Sequence, residues 1–305
     1  MNRLLFLPVA AVISLLQSLP LSGVAWLGRR LGDLAWWLDW HHRRQALVNL
    51  DIAFGRELSR APRERIARDN FRYLGEAFFC ALKTSAMDRA EVASRLQIVG
   101  LSKLRPWIER SEVPGVVIAT GHFGNIEMYD FMARELPWME IATIYRRSSR
   151  PFVGQILERV RRDCRCRFFE EQAEAGALRT QLREGNVILG LMSDVNPGPA
   201  GLAIPLFGHP AATSAAPAVY ALRFRMPLHA ATCYRSGPGR WRVEISDEIP
   251  TRANGKARLI EDILKDLNNH LEQCIRRDPA NWFWPHPRWE HRGRTRPVRG
   301  TEIKP

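Results

Sequence analysis

The stretch "GVVIATGHFGNIEMYDF", residues 115–131, decides the fold. It begins with a short apolar run rich in β-branched side chains, bounded by Pro114-Gly115 and Gly121. That pattern predicts a buried strand over 116–120. Gly121 and Gly124 let the backbone turn sharply and leave room for a ligand. Asn125 reads as an N-cap, with a helix from about 125 to 135 and Glu127 in its first turn.

Outward from this corner the strand–helix alternation continues. "EIATIY" (140–145), "GNVILGLMSD" (185–194), "MPLHAATCYR" (226–235) and "WRVEISDEI" (241–249) read as strands. Helices are expected over about 62–83, 151–163, 172–184, 214–225 and 256–277. The last lines Leu259, Ile260, Ile263, Leu264, Leu267, Leu271 and Ile275 along one face. Strands alternating with helices predict an α/β fold, a mixed central sheet with helices on both faces. Ligands of such sheets gather at the carboxyl ends of the strands.

His122 falls just past a strand, at a carboxyl end. On one continuous helix, residues five apart point about 140° away from each other. A strand–turn–helix corner lifts that constraint and folds Glu127 back toward His122. A carboxylate on one imidazole nitrogen fixes the tautomer and leaves the other nitrogen free to take a proton. The plainer reading is a turn histidine and a glutamate that favours the helix dipole. There is no G-x-S-x-G elbow, P-loop or G-x-G-x-x-G. The missing nucleophile motif favours direct attack by an acceptor hydroxyl. His41, His42, His286 and His291 lack partners at zinc spacing, so neither a metal nor another cofactor is expected.

The chain has 305 residues, with 45 Lys+Arg against 32 Asp+Glu, a net charge of +13. Such a surface attracts polyanions, among them anionic lipid headgroups, acidic carrier proteins and nucleic acid. Cys80, Cys164, Cys166, Cys233 and Cys274 are odd in number and have no CxxC spacing, which predicts reduced thiols.

From Leu4 to Gly28 there is no charged residue. The run is about 25 residues long, where a bilayer takes about 20. Pro8 and Pro20 interrupt it, so an interfacial anchor fits as well as a spanning one. A cleaved signal peptide and a buried soluble helix are the rivals. Arg29, Arg30, Arg43 and Arg44 follow the run, which favours a main body on the cytoplasmic face of the inner membrane. Trp26, Trp36, Trp37 and Trp40 stand where an interfacial belt would sit, or else are core residues of a helix over about 32–49. On this reading residues 1–30 are an anchor segment and 31–305 the catalytic domain.

Six segments, taken in order, resemble the late acyltransferases of lipid A biosynthesis, with phosphatidylinositol mannoside acyltransferases as close relatives. They are "RRQALVNLDIAFG" (43–55), "GHFGNIE" (121–127), "IYRRSSRPF" (144–152), "GNVILGLMSD" (185–194), "IPLFGHPAATSAAPA" (204–218) and "DPANWFWPHPRWEHR" (278–292). The resemblance implies a glycerolipid-acyltransferase-like fold. It also implies acyl transfer from acyl carrier protein or acyl-coenzyme A to a hydroxyl of an anionic membrane glycolipid. It makes His122 the base and Glu127 its partner, the His-x4-Glu pair. It adds Arg146 and Asp194 as site residues. The oxyanion of a thioester needs donors, and Arg146 or the backbone N–H groups around Gly124 and Asn125 are the candidates. Arg146, Arg147 and Arg150 suit phosphates instead, or form a solvated basic face. Asp194 reads as an anchor for His122 or Arg146, or as a turn residue. The sequence departs from the family pattern at Arg147, where Pro is usual, at Asn196 and at Ser214-Ala215-Ala216-Pro217. These departures bear on the acceptor more than on the reaction. A reading from another class, a basic membrane protein that binds nucleic acid or partners without catalysis, leaves His-Phe-Gly-Asn-Ile-Glu unexplained.

Overall fold

The computed structural model describes residues 3–108, 115–145, 161, 164–171 and 173–289. The chain starts with helices α1 (Arg3–Ser18), α2 (Leu21–Leu38), α3 (Trp40–Phe54) and α4 (Arg60–Thr84). Then come α5 (Arg89–Ala93), β1 (Leu96–Val99), α6 (Arg105–Ile108), β2 (Gly115–Thr120), α7 (Met128–Ala133), β3 (Glu140–Tyr145) and β4 (Cys166–Glu170). α8 (Ala175–Glu184), β5 (Val187–Met192), β6 (Leu202–Leu206), β7 (His209–Thr213), α9 (Ala216–Arg223), β8 (Leu228–Gly237) and β9 (Arg240–Ile245) follow. A small hairpin, β10 (Arg252–Ala253) and β11 (Lys256–Ala257), leads into α10 (Ile260–Arg277).

The main sheet runs β1-β9-β8-β2-β5-β3-β4. Its pairs are parallel except β8–β9, which is antiparallel. β2 is buried at every position, as a strand covered on both faces must be. Val117, Ala119, Leu189 and Leu191 face Leu178, Leu182, Leu222, Ile263 and Leu264 on one side. Val116, Ile118 and Ile188 face Met128, Met132 and Leu136 on the other. Helices therefore cover both faces.

Some differences from expectation have local causes. β1 and β4 are short edge strands, each paired on one side and mostly half-buried, so their periodicity is faint. The hairpin β6–β7 turns at Phe207-Gly208 and β10–β11 turns at Asn254-Gly255, all four with positive φ. Asn-Gly is the strong sequence signal for such a turn, and it starts α10 later than expected. α7 is shorter than the expected helix, because Glu127 rather than Asn125 is its N-cap.

The N-terminal run is not one anchoring helix. It breaks before Pro20 into α1 and α2, and among the described residues no helix is long and apolar enough to cross a membrane. α2 lies tightly on α4. A Cβ on Gly28 would come within 2.6 Å of the Gly75 carbonyl, and one on Gly32 within 2.3 Å of the Phe71 carbonyl. Only glycine permits that approach. The tryptophans divide: Trp36 is buried against Phe71, while Trp26, Trp37 and Trp40 are exposed.

Candidate active site

In the register of β2 and β5, Thr120 lies opposite Met192. Two residues on, at the carboxyl ends, His122 and Asp194 come level. The Asp194 carboxylate accepts the His122 backbone N–H at 2.7 Å through Oδ2 and meets ring Nδ1 at 2.9 Å through Oδ1. The Trp282 indole donates to Oδ2 at 2.8 Å. Gly121 leaves room for this contact, since a Cβ there would lie 3.1 Å from Asp194 Oδ2 and press on the carboxylate.

Burial alone pulls the His122 imidazole toward its neutral form, but the charge and hydrogen bond of Asp194 reverse this. Its pKa ends above the ordinary value despite a downward pull from Arg161. Burial pushes the Asp194 carboxyl up, yet His122 and the Trp282 N–H bring it down to about 2. With Nδ1 held by a carboxylate, Nε2 is the nitrogen left to exchange a proton with a substrate.

Glu127 does not fold back onto His122. It is bound by Arg161, whose Nη2 donates to Oε1 at 2.9 Å and whose Nε reaches both carboxylate oxygens at 3.2 Å. The Arg161 guanidinium also lies over the Phe168 ring at 4.7 Å. Glu127 therefore has a cation as its partner, and the carboxylate on His122 comes from a strand 72 positions further on. The physical reason is geometric. Glu127 sits at the N-cap position of a short helix with its side chain turned to Arg161, while the parallel β2–β5 pairing brings Asp194 directly alongside His122.

Two amides expected to face an oxyanion have partners elsewhere. The Gly124 N–H donates to the Asn281 carbonyl at 3.2 Å, and the Asn125 backbone hydrogen-bonds the Cys233 sulfur. Arg146, Arg147, Arg150 and most of the helix expected over 151–163 lie outside the described residues. Arg161 escaped sequence reading because an arginine in a basic chain carries no spacing signal.

The tryptophan-rich C-terminal segment crosses the His122 corner as a strap. Phe123 bridges Trp282, and the Phe283 N–H donates to the His122 carbonyl at 3.0 Å. Trp282 and Trp284 are buried at 4.7 Å in a T-shaped pair. The strap is held from behind by two buried asparagines. Asn49 on α3 donates to the Trp284 carbonyl at 2.7 Å and the His286 carbonyl at 2.6 Å. Asn70 on α4 donates to the Ala280 carbonyl at 2.8 Å and also to that of Trp282. Arg288, fully buried, bonds Thr213 Oγ1 at 3.1 Å and the Ala212 carbonyl. His286 accepts the Asn196 N–H at 2.9 Å, and burial lowers its pKa to about 4, so it stays neutral. Thus segments 43–55, 204–218 and 278–289, distant in sequence, form one support for His122 and Asp194.

Below His122 a mostly apolar cavity of about 220 Å³ runs along the sheet. Ile118 and Thr120 of β2, Ile188, Gly190 and Met192 of β5, and Ile141 and Thr143 of β3 form its floor and walls. Met132 and Tyr129 lie over it from α7, and Glu127 and Arg161 stand near His122 in its lining. No group of metal-binding side chains occurs among the described residues. The arrangement offers a proton acceptor, a cation and a channel for a hydrocarbon chain in one place.

The sequence profile of the bacterial lipid A biosynthesis acyltransferases matches residues 2–291. The chain belongs to that family. No individual curated protein is similar enough to it to count as a relative. Family membership makes the chain an acyltransferase of the lipid A type, with an acyl donor and a lipid acceptor.

Proposed function

We propose that this acyltransferase moves a fatty acyl chain from a thioester, on acyl carrier protein or coenzyme A, to a hydroxyl of a lipid A precursor, with His122 as general base. One observation carries the reading: the His122–Asp194 pair at the strand ends lies against an apolar cavity. His122 Nε2 takes the proton of the acceptor hydroxyl, and the oxygen attacks the thioester carbonyl. The tetrahedral oxyanion collapses, breaks the C–S bond and expels the thiolate, which recovers the proton from the imidazolium. Asp194 stabilises that imidazolium and fixes the ring.

Glu127 acts through Arg161 in this scheme. It aims a guanidinium at the place where negative charge develops or where an acceptor phosphate docks. Arg146, Arg147 and Arg150 supply further positive charge for an anionic headgroup. The protein sits on the cytoplasmic face of the inner membrane. The exposed Trp26, Trp37, Leu38 and Trp40, with Arg29, Arg30, Arg43 and Arg44 among them, suit an interface of acyl chains and anionic headgroups. The His122→Ala variant, assayed in membranes with acyl thioesters and a lipid A precursor, loses about 10²–10⁴-fold in rate, the usual worth of a general base. A folded variant that keeps near-normal transfer overturns the reading.

A further inference from the structure

Gly190 stands in the middle of a strand, where glycine weakens pairing and often marks a place where a ligand comes close. Its neighbours across the sheet are Ile118 of β2 and Thr143 of β3, and all three line the cavity. The Thr143 hydroxyl donates to the Gly190 carbonyl at 2.7 Å, which pins the strand there. A Cβ built on Gly190 would meet only one atom within 4 Å, the Ala142 carbonyl at 3.9 Å. Neither backbone strain nor close packing therefore requires a glycine. What its missing side chain leaves is open cavity.

The position along the cavity matters. Met192, two residues on, is at the His122 end, about 7 Å away by the rise of a strand. Ile188, two residues back, lies about as far on the other side and is buried against Ile141. A chain entering beneath His122 must pass Gly190 before it reaches Ile188. Resting on the acyl-transfer reading above, we infer that Gly190 is a specificity-determining residue. It keeps the lower half of the cavity open to the donor acyl chain, and Ile188 closes that half. Chain length is then set by how many methylenes pass position 190.

A buried methylene changes binding about fourfold, so excluding a pair lowers selectivity for the longer chain about fifteenfold. The test uses the full chain and thioesters from decanoyl to palmitoyl, each on acyl carrier protein and on coenzyme A, with one lipid A precursor. The readout is the ratio of long-chain to short-chain product. Gly190→Leu lowers that ratio at least fifteenfold, Gly190→Ala lowers it less, and Ile188→Val raises it. A folding defect does not move the ratio in opposite directions, and thermal melts identify any variant that is merely unstable. An unchanged ratio in folded variants of an active protein overturns the inference alone. So does a profile that follows the acceptor's chains instead of the donor's. A wild-type protein that transfers no chain from any thioester overturns the acyl-transfer reading, and this inference with it.

Discussion

Two carboxylates stand near His122, and they are built differently. Asp194 is almost wholly buried, with its side chain 3% exposed, and is engaged by the His122 ring, the His122 amide and the Trp282 indole. Glu127 is 16% exposed and, among the described residues, is held by Arg161. The first is locked by strand register and by the strap. The second stands at the start of a short helix beside the cavity. A buried charge survives only where its surroundings satisfy it, and a satisfied carboxylate at fixed distance is what a catalytic imidazole needs. The contrast makes Asp194 the partner of the His122 ring and Glu127 the partner of Arg161; under the proposed function, Asp194 then supports the base and Glu127 positions a cation.

The sharpest way to break this comparison is Asp194→Asn. It removes the charge that raises the His122 pKa and spoils the tautomer, and transfer falls about a thousandfold, within the range of general-base effects. The acid limb of the pH–rate profile moves to lower pH, because an imidazole that has lost its carboxylate gives up its proton more readily. The same variant changes acid stability. Asp194 is depressed to about 2, so the wild type holds a contribution present above the unfolded carboxylate pKa of about 3.9. That contribution fades as pH falls toward 2, and denaturant titrations of the Asn variant lack that slope. An unmoved acid limb defeats the assignment.

Trp282→Phe keeps an aromatic ring in the strap and removes one N–H from Asp194. A hydrogen bond to a charged group is worth about 1.5–3 kcal/mol, and urea unfolding reads a loss of that size. Transfer drops about tenfold, because Asp194 keeps both His122 contacts. A variant as inactive as Asp194→Asn makes Trp282 more than a support. The smallest effect belongs to Glu127→Gln. It releases Arg161, lowers transfer about tenfold or less, and leaves the acid limb where it was. A shift of that limb as large as in Asp194→Asn hands the imidazole's partnership back to Glu127.

Much of the site was legible residue by residue. His122 at a strand end, the glycines around it and the strand ending in Asp194 follow from periodicity and turn chemistry. A cluster of tryptophans such as Trp282, Trp284 and Trp289 suits an entrance or a core equally well on sequence; burial and the Trp282–Asp194 bond decide for the core. Asn49 and Asn70 looked like ordinary helix residues, because a hydrogen bond to a carbonyl more than 200 positions away leaves no local pattern.

The sequence by itself determined the alternation of strands and helices, the corner that presents His122 and the family to which the chain belongs. It did so because periodicity, glycine turns and ordered motifs are local properties. Only the tertiary structure decided which carboxylate holds the imidazole, which cation holds Glu127 and where the apolar cavity runs. Those depend on the register between strands far apart in the chain. His-x4-Glu is a spacing along one segment, whereas His122–Asp194 is a level across two paired strands, and no count of residues between them encodes it.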